Sequence, residues 1–240
     1  MSGHSKWATI KRKKSATDQK RGVLFSKLSK NITLAIKQAG PDPETNAKLR
    51  LAIKDAKQNS MPSDNIDRAI DKAKNAGEGN DIEELLYEAY GPGGSAILIE
   101  IATDNRNRSI SEVKTALTKN DAKLGESGSA AHLFQKFGEI IIETKNYGDK
   151  NKDDIILELM DVGADDVEDS EEGIIAYFPL DKFTNAVSKL DGMGIQNNAS
   201  VMYKPFQTLT LEEKRKATLE KLIDSLEDLD DVNKVYSNAE

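Results

Sequence analysis

The residues of this chain best suited to binding a ligand are the clustered basic side chains near its start. The first 37 residues contain ten Lys or Arg residues and a single acid, Asp18. Such clusters bind phosphate backbones because each contact releases condensed counterions. The whole chain nevertheless has a net charge of −7. Opposite charges are therefore sorted to opposite ends, which favours a polyanionic partner.

The basic segment also contains an indole and an imidazole side chain. These groups can stack on a base or a ribose while neighbouring cations pair with phosphates. The predicted nucleic-acid contacts in this segment are His4, Lys6, Trp7, Lys11, Arg12, Lys13, Lys14, Lys20, Arg21, Lys27 and Lys30. The alternative is a solvated, charged terminus whose Trp side chain packs on the helices that follow.

A second candidate contact lies in residues 103–109, Thr-Asp-Asn-Arg-Asn-Arg-Ser, between a predicted strand and a predicted helix. Asp104 or Asn105 can cap that helix, and the backbone N–H groups at its start can bind an anion. Arg106 and Arg108 can hold a phosphate through paired hydrogen bonds. The alternative is a capped helix whose arginines pair with nearby Asp or Glu side chains.

Residue types that serve catalysis or bind metals are scarce. The chain has no Cys and only two His residues, which excludes thiolate sites and leaves little for a His-based triad or metal site. The glycine-rich residues 91–94 and 125–129 depart from the spacing of phosphate loops and nucleophile elbows. We therefore expect no enzymatic activity, no cofactor, no metal and no small-molecule substrate.

An acidic run at residues 161–172 contrasts with the basic front end. It lacks the ordered spacing and the glycine of a calcium-binding loop. The pattern favours a solvated loop and strand edge that repels nucleic acid.

Helical periodicity organises the basic front end. Apolar residues recurring at three- and four-residue intervals predict helices over 21–39, over about 44–59 and from Ser63, which is a candidate N-cap. Together they predict a basic three-helix domain over residues 1–78. The first 76 residues have a net charge of about +10, and the remainder has about −17.

The rest of the chain alternates strands and helices. Residues 138–204 follow the order β-α-β-β-α-β, which is typical of ferredoxin-like domains. Residues 79–137 supply only β-β-α-β, with the last strand near 131–136, and we expect residues 205–240 to fold back and complete that sheet. The predicted fold class is α+β, with an N-terminal three-helix basic domain followed by two ferredoxin-like α/β domains, the middle one discontinuous.

Short motifs follow one another in a specific order along the whole chain. They are residues 1–7 (MSGHSKW), 18–22 (DQKRG), 25–28 (FSKL), 61–66 (MPSDNI), 87–94 (YEAYGPGG), 103–108 (TDNRNR), 125–129 (GESGS), 163–166 (GADD) and 229–232 (LDDV). In this order and spacing they resemble the YebC/PmpR family of bacterial proteins, which includes a mitochondrial translational activator. The turn at residues 36–43 departs from the more glycine-rich turn of many relatives.

The resemblance implies a three-domain, nucleic-acid-associated regulator without enzymatic activity. Such proteins are described as transcriptional regulators that bind promoter DNA, and some act instead at the ribosome to relieve stalled synthesis. We therefore expect a DNA-binding transcriptional regulator, with a translation factor bound to the ribosome or ribosomal RNA as the alternative. A scaffold whose basic segment binds acidic protein is a third hypothesis. Because no apolar run is long enough to span a membrane, we expect a cytoplasmic protein.

Overall fold

The computed structural model describes Trp7, residues 18–75 and residues 82–239. Three helices come first: α1 Asp18–Ala39, α2 Ala47–Gln58 and α3 Ser63–Lys74. Their apolar faces, spaced as predicted, pack into one small core that includes the buried side chains of Ile32, Leu49 and Ile66.

The helices α1 and α2 are joined by one buried amide side chain. Asn46 caps α2 by accepting a hydrogen bond from the Leu49 N–H at 3.0 Å. Its amide group also donates to the carbonyl oxygens of Ala35 and Gly40 at 2.8 and 2.7 Å. Asn46 thus satisfies free backbone groups at the end of α1 and at the start of α2.

The start of α3 differs from the prediction. Pro62, not Ser63, occupies the N-cap position, and no side chain caps the helix there. The proline carbonyl accepts hydrogen bonds from Asn65 and Ile66, with φ of −58° at Pro62 already close to the helical value. The prediction of Ser63 as the cap was therefore wrong by one residue.

The remaining helices and strands are, in chain order, β1 Glu83–Tyr90, β2 Ala96–Thr103, α4 Arg106–Lys119, β3 Lys123–Leu124, β4 Phe134–Glu143, α5 Lys152–Asp161, β5 Asp166–Asp169, β6 Gly173–Phe178, α6 Leu180–Gly192, β7 Asn198–Pro205, α7 Glu213–Glu227 and β8 Val232–Ser237. They form two four-stranded sheets, each packed with two helices. The architecture is α+β, as the sequence predicts.

The first sheet has the strand order β3-β1-β2-β8. The C-terminal strand β8 pairs antiparallel with β2, so the tail completes this sheet and the middle domain is discontinuous. Alternate residues of β2, namely Ile97, Ile99 and Ile101, are fully buried in a core shared with α4 and α7.

Only the second half of the strand predicted near residues 131–136 is extended. Ala131–Leu133 form a single 3₁₀ turn that contains His132, and one continuous strand, β4, begins at Phe134. The backbone N–H groups of Ala130 and Ala131 bind the carboxylate of Glu88, which bends the chain out of an extended conformation. The short strand β3, which the sequence analysis missed, occupies the edge of the first sheet.

The second sheet has the order β5-β6-β4-β7. With β4, α5, β5, β6, α6 and β7 in chain order, this is the ferredoxin-like arrangement that the sequence predicts. Phe183 of α6 packs directly on Gly138 of β4, where any side chain would overlap the ring. This contact identifies the face of the sheet that the helices cover.

Tertiary contacts group the chain into two units. One contains Thr17–Gln135 and Pro205–Glu240, and the other contains Lys136–Lys204 together with Trp7. The three helices and the discontinuous domain therefore belong to one unit. Within it, Asn233 of β8 donates to Asn31 of α1 at 2.7 Å.

Candidate nucleic-acid interface

The basic segment before α1 is described at one residue, Trp7. The predicted contacts that lie outside the described residues are His4, Lys6, Lys11, Arg12, Lys13 and Lys14. The Trp7 side chain is only 3% exposed. Its ring lies against Gly173 at the start of β6, so the indole is covered by protein in the 136–204 unit.

The first turns of α1 carry two predicted contacts that are exposed, Lys20 and Arg21. The ammonium group of Lys20 lies 3.0 Å from a carboxylate oxygen of Asp228, and both side chains are more than half exposed. Such a surface pair contributes little and exchanges readily for another anion. The guanidinium of Arg21 lies 5.9 Å from the ring centre of Phe25. Both side chains lie at the surface of the 17–135 region.

The next two predicted contacts on α1 are engaged by the loop before β8. Lys27 is buried and donates to the Glu227 carbonyl oxygen at 2.5 Å. Lys30 donates to the Asp230 carbonyl oxygen at 3.0 Å and to the Asp231 carboxylate at 2.5 Å. These partners lie 200 or 201 residues along the chain, so helical periodicity could not reveal them. In this fold the two lysines hold α1 against the loop.

The carboxylate of Asp231 is the centre of this contact and is 2% exposed. Besides Lys30, it accepts hydrogen bonds from Arg108 at 2.9 Å, Ser109 at 2.6 Å and Thr103 at 3.0 Å. Burial alone would raise the pKa of Asp231, but the hydrogen bonds from Lys30, Ser109 and Arg108 outweigh it and lower the pKa to about 2. The cluster therefore links α1, β2, α4 and the loop before β8 through one ionised group.

The 103–109 segment contributes one arginine to that cluster and leaves another exposed. Asn105 caps α4 by accepting a hydrogen bond from the Arg108 N–H at 3.1 Å. The Arg108 side chain pairs with Asp231 and, at 2.9 Å, with Asp104. Arg106 is exposed and pairs with no acid among the described residues. Arg106 is therefore the arginine of this segment that is available to an external phosphate.

Two exposed cations on α3 were missed by the sequence analysis. Arg68 and Lys72 lie one turn apart on the polar side of the helix. Neither forms an ion pair within the described part of the chain. Their four-residue spacing opposite the apolar positions was the available signal. Asp67 and Asp71 lie beside them, so the local field is mixed in sign.

The glycine-rich residues 125–129 belong to a loop that already holds an internal anion. The buried carboxylate of Glu88 accepts hydrogen bonds from the N–H groups of Gly128, Ala130 and Ala131 at 2.6, 2.5 and 2.7 Å. Burial would raise the pKa of Glu88, but these three bonds outweigh it and lower the pKa. Because these three N–H groups already bind Glu88, the loop serves to stabilise the fold.

Two further observations concern metals and membranes. Across residues 18–75 and 82–239, no group of three or more His, Asp or Glu side chains is placed to hold a metal ion. The same described ranges contain no helix with the length and apolar character needed to cross a membrane.

Known proteins are similar to this chain over nearly its whole length. A probable transcriptional regulatory protein of Enterococcus faecalis is 44% identical over 241 residues, covering 100% of this chain and 99% of the relative. One from Chlorobaculum tepidum is 47% identical over 244 residues, covering 100% and 95%. The crystal structure of a conserved hypothetical protein from Aquifex aeolicus matches with a TM-score of 0.85 and 39% identity, covering 93% of this chain and 91% of that one.

Two family descriptions match consecutive parts of the chain. Residues 5–76 match the TACO1/YebC protein N-terminal domain, and residues 82–239 match the TACO1/YebC second and third domain. The names of the relatives support a regulator of gene expression. With matches that span nearly the entire sequence, the chain belongs to the TACO1/YebC family.

Proposed function

We propose that the protein regulates gene expression by binding nucleic acid, with duplex DNA as its target, and that it acts in the cytoplasm without catalysing a reaction. The sorting of charge carries this proposal: ten cations and one acid occupy the first 37 residues of an acidic chain. The relatives named probable transcriptional regulatory proteins support a role in transcription.

The proposed phosphate contacts are of two kinds, the cations of the basic segment before α1 and the exposed cations of the 17–135 region. Lys20 and Arg21 continue the charge of residues 11–14 onto α1, and Arg106 adds a guanidinium at the start of α4. These residues suit phosphate contacts, which position a protein but carry no sequence information. We therefore expect strong salt dependence and low sequence specificity.

A second candidate function is translational, with ribosomal RNA as the target. The strongly acidic remainder of the chain favours it, because a net charge of about −17 opposes close contact with a long duplex. A narrow basic segment can still enter between RNA helices. Crosslinking in cells followed by sequencing of both DNA and RNA separates the two functions. Enriched promoter DNA supports the first, and enriched ribosomal RNA supports the second.

Replacing Lys11, Arg12, Lys13 and Lys14 together with Ala tests the interface. We expect affinity for a 30-base-pair duplex or a ribosomal RNA fragment to fall at least about tenfold at 0.1 M salt, because each lost phosphate contact removes released counterions. The slope of log affinity against log salt should decrease by up to about 3.6 on duplex DNA, or about 0.9 for each contact. Fluorescence anisotropy across a salt series measures both quantities.

The matched control removes four cations from α7 instead, at Lys214, Arg215, Lys216 and Lys221. The two variants have the same net charge, so a general electrostatic effect would weaken both equally. If the first variant keeps the affinity and salt slope of the unmodified protein, residues 11–14 do not bind phosphate.

A further inference from the structure

The sheet of the 136–204 unit is covered on its second face, the one opposite α5 and α6. Strand pairing places Gly173, Ile175 and Tyr177 of β6 on the face opposite Phe183 and the helices. In a two-layer fold this face is open to solvent. Here Ile175 is 0% exposed and Tyr177 is 4% exposed. Another part of the chain therefore covers this second face.

Side chains cover this face at both ends of β6. At one end, the ammonium group of Lys204 lies 3.9 Å from the ring centre of Tyr177 and 2.8 Å from Asp166. At the other end, the Trp7 ring lies where a side chain of Gly173 would be, and a Cβ there would come within 2.8 and 2.9 Å of two ring carbons. Gly173 has a φ of +154°, so a glycine both suits the backbone and leaves room for the indole.

The second face is acidic, although Glu143 there already pairs with the nearby Lys145 at 3.0 Å. Glu139 and Glu143 of β4 pair with Tyr177 and Gly173, and Glu168 of β5 pairs with Ile175, so all three carboxylates belong to this face. One carboxylate oxygen of Glu168 is buried and has no hydrogen-bond partner among the residues that the structure describes. An acidic surface repels phosphate, which argues against nucleic acid as its occupant.

The residues on either side of Trp7 have the opposite charge. Lys6 precedes it, the four cations at 11–14 follow it, and no acid occurs before Asp18. Ten residues separate Trp7 from Asp18, and such a length spans up to about 35 Å when extended. Four strands occupy only about 14 Å between the outermost two. The cations at 11–14 can therefore reach the acids of the face while Trp7 stays in place.

We propose that the second face of this sheet is the docking site of the chain's own N-terminal segment, anchored by Trp7 and held by Glu139, Glu143 and Glu168. The consequence for regulation rests on the proposed function: the segment that binds phosphate is the one that the acidic face retains. Nucleic acid must displace the cations from these carboxylates, so the 136–204 unit restrains its own chain's binding.

Trp7 is the only tryptophan in the protein, so tryptophan fluorescence reports directly on the docked segment. In the full-length protein without nucleic acid, we expect short-wavelength emission and slow quenching by acrylamide. The combined change Glu143→Gln and Glu168→Gln should raise the quenching constant by about fivefold, the effect of losing two partly exposed ion pairs. Trypsin should cleave within residues 11–14 faster by a similar factor.

The matched control is Asp149→Asn with Asp153→Asn, which removes two exposed acids of the same unit away from the face. Far-UV circular dichroism and the melting temperature should be unchanged in both variants. Equal quenching and cleavage in the two variants overturns the docking. Trp7 emission typical of a fully exposed indole in the unmodified protein overturns it as well.

Anisotropy with a duplex DNA probe separates this inference from the proposed function. Tighter binding by the Glu143→Gln, Glu168→Gln variant, again about fivefold, supports both. Faster quenching and cleavage with unchanged DNA affinity supports the docking and counts against phosphate binding by the segment. Tighter DNA binding with unchanged quenching and cleavage overturns the docking.

Discussion

Replacing Asp231 with Ala is expected to lower the free energy of unfolding by about 3–5 kcal/mol, because removing one member of a buried charged cluster leaves its partners unpaired. The carboxylate is 2% exposed and accepts hydrogen bonds from α1, β2 and α4. Its loss removes the carboxylate from Lys30 and Ser109, which keep only weaker, uncharged acceptors such as the carbonyl oxygens of Asp230 and Asn105. Urea denaturation followed by circular dichroism measures the change.

The neighbouring residue supplies the control. Asp230 has an exposed side chain, and only its backbone carbonyl takes part in the contact with Lys30. Asp230→Ala should therefore change the free energy of unfolding by less than about 0.5 kcal/mol. Equal losses in the two variants would contradict the assignment of Asp231 as the centre of the cluster.

Acid should remove the same contribution in the unmodified protein. The pKa of Asp231 is lowered from 3.8 to about 2 in the folded state. A lowered pKa adds stability that is fully present above the unfolded value and is lost as pH falls through the folded value. The window is thus about pH 4 to 2, and the shift corresponds to about 2 kcal/mol. Between pH 5 and 2, Asp231→Asn should lose less stability than the unmodified protein.

Replacing Glu88 with Ala is expected to lower the free energy of unfolding by about 3 kcal/mol, since a buried donor such as the Ala130 N–H costs about 1–3 kcal/mol without its acceptor and two part-buried donors lose theirs as well. The three N–H groups of Gly128, Ala130 and Ala131 lose their partner in this variant. The turn that leads into β4 should open. Hydrogen exchange at these amides should accelerate together with the loss of stability.

Two further variants serve as comparisons for the loss of stability expected in Glu88→Ala. Glu88→Gln keeps one carbonyl oxygen as an acceptor and should lose an intermediate amount of stability. Glu126→Ala changes an exposed acid of the same loop and should change stability by less than about 0.5 kcal/mol. A loss at Glu88→Ala no larger than at Glu126→Ala would show that the three backbone bonds contribute little.

Local patterns predicted most of the fold. Apolar spacing placed the helices of the basic domain and of the 138–204 domain within a few residues, because one buried face requires that period. The β-α-β-β-α-β order predicted the second sheet. The strand predicted near 131–136 was wrong in its first half, because the chain there turns to bind Glu88, a partner more than 40 residues away that leaves no local signal.

Among the candidate site residues, too, position along the chain indicated the helix cap but not the contacts with distant segments. Asp104 or Asn105 was predicted as a cap from position alone, and Asn105 is the one that caps α4. Lys27 and Lys30 have the same residue type and helix as Lys20, yet they are engaged by the loop before β8. Nothing in the spacing of α1 distinguishes the engaged lysines from the exposed one.

The sequence by itself determined the sorting of charge, the succession of helices and strands, and the family. These properties depend on residue type and on neighbours within a few positions. Only the tertiary structure decided which cations are exposed, that Asp231 draws Lys30 and Arg108 into one cluster, and that Trp7 is buried on the sheet of the 136–204 unit. The physical reason is that a side chain's charge belongs to the residue, whereas its availability depends on which distant segments folding brings against it.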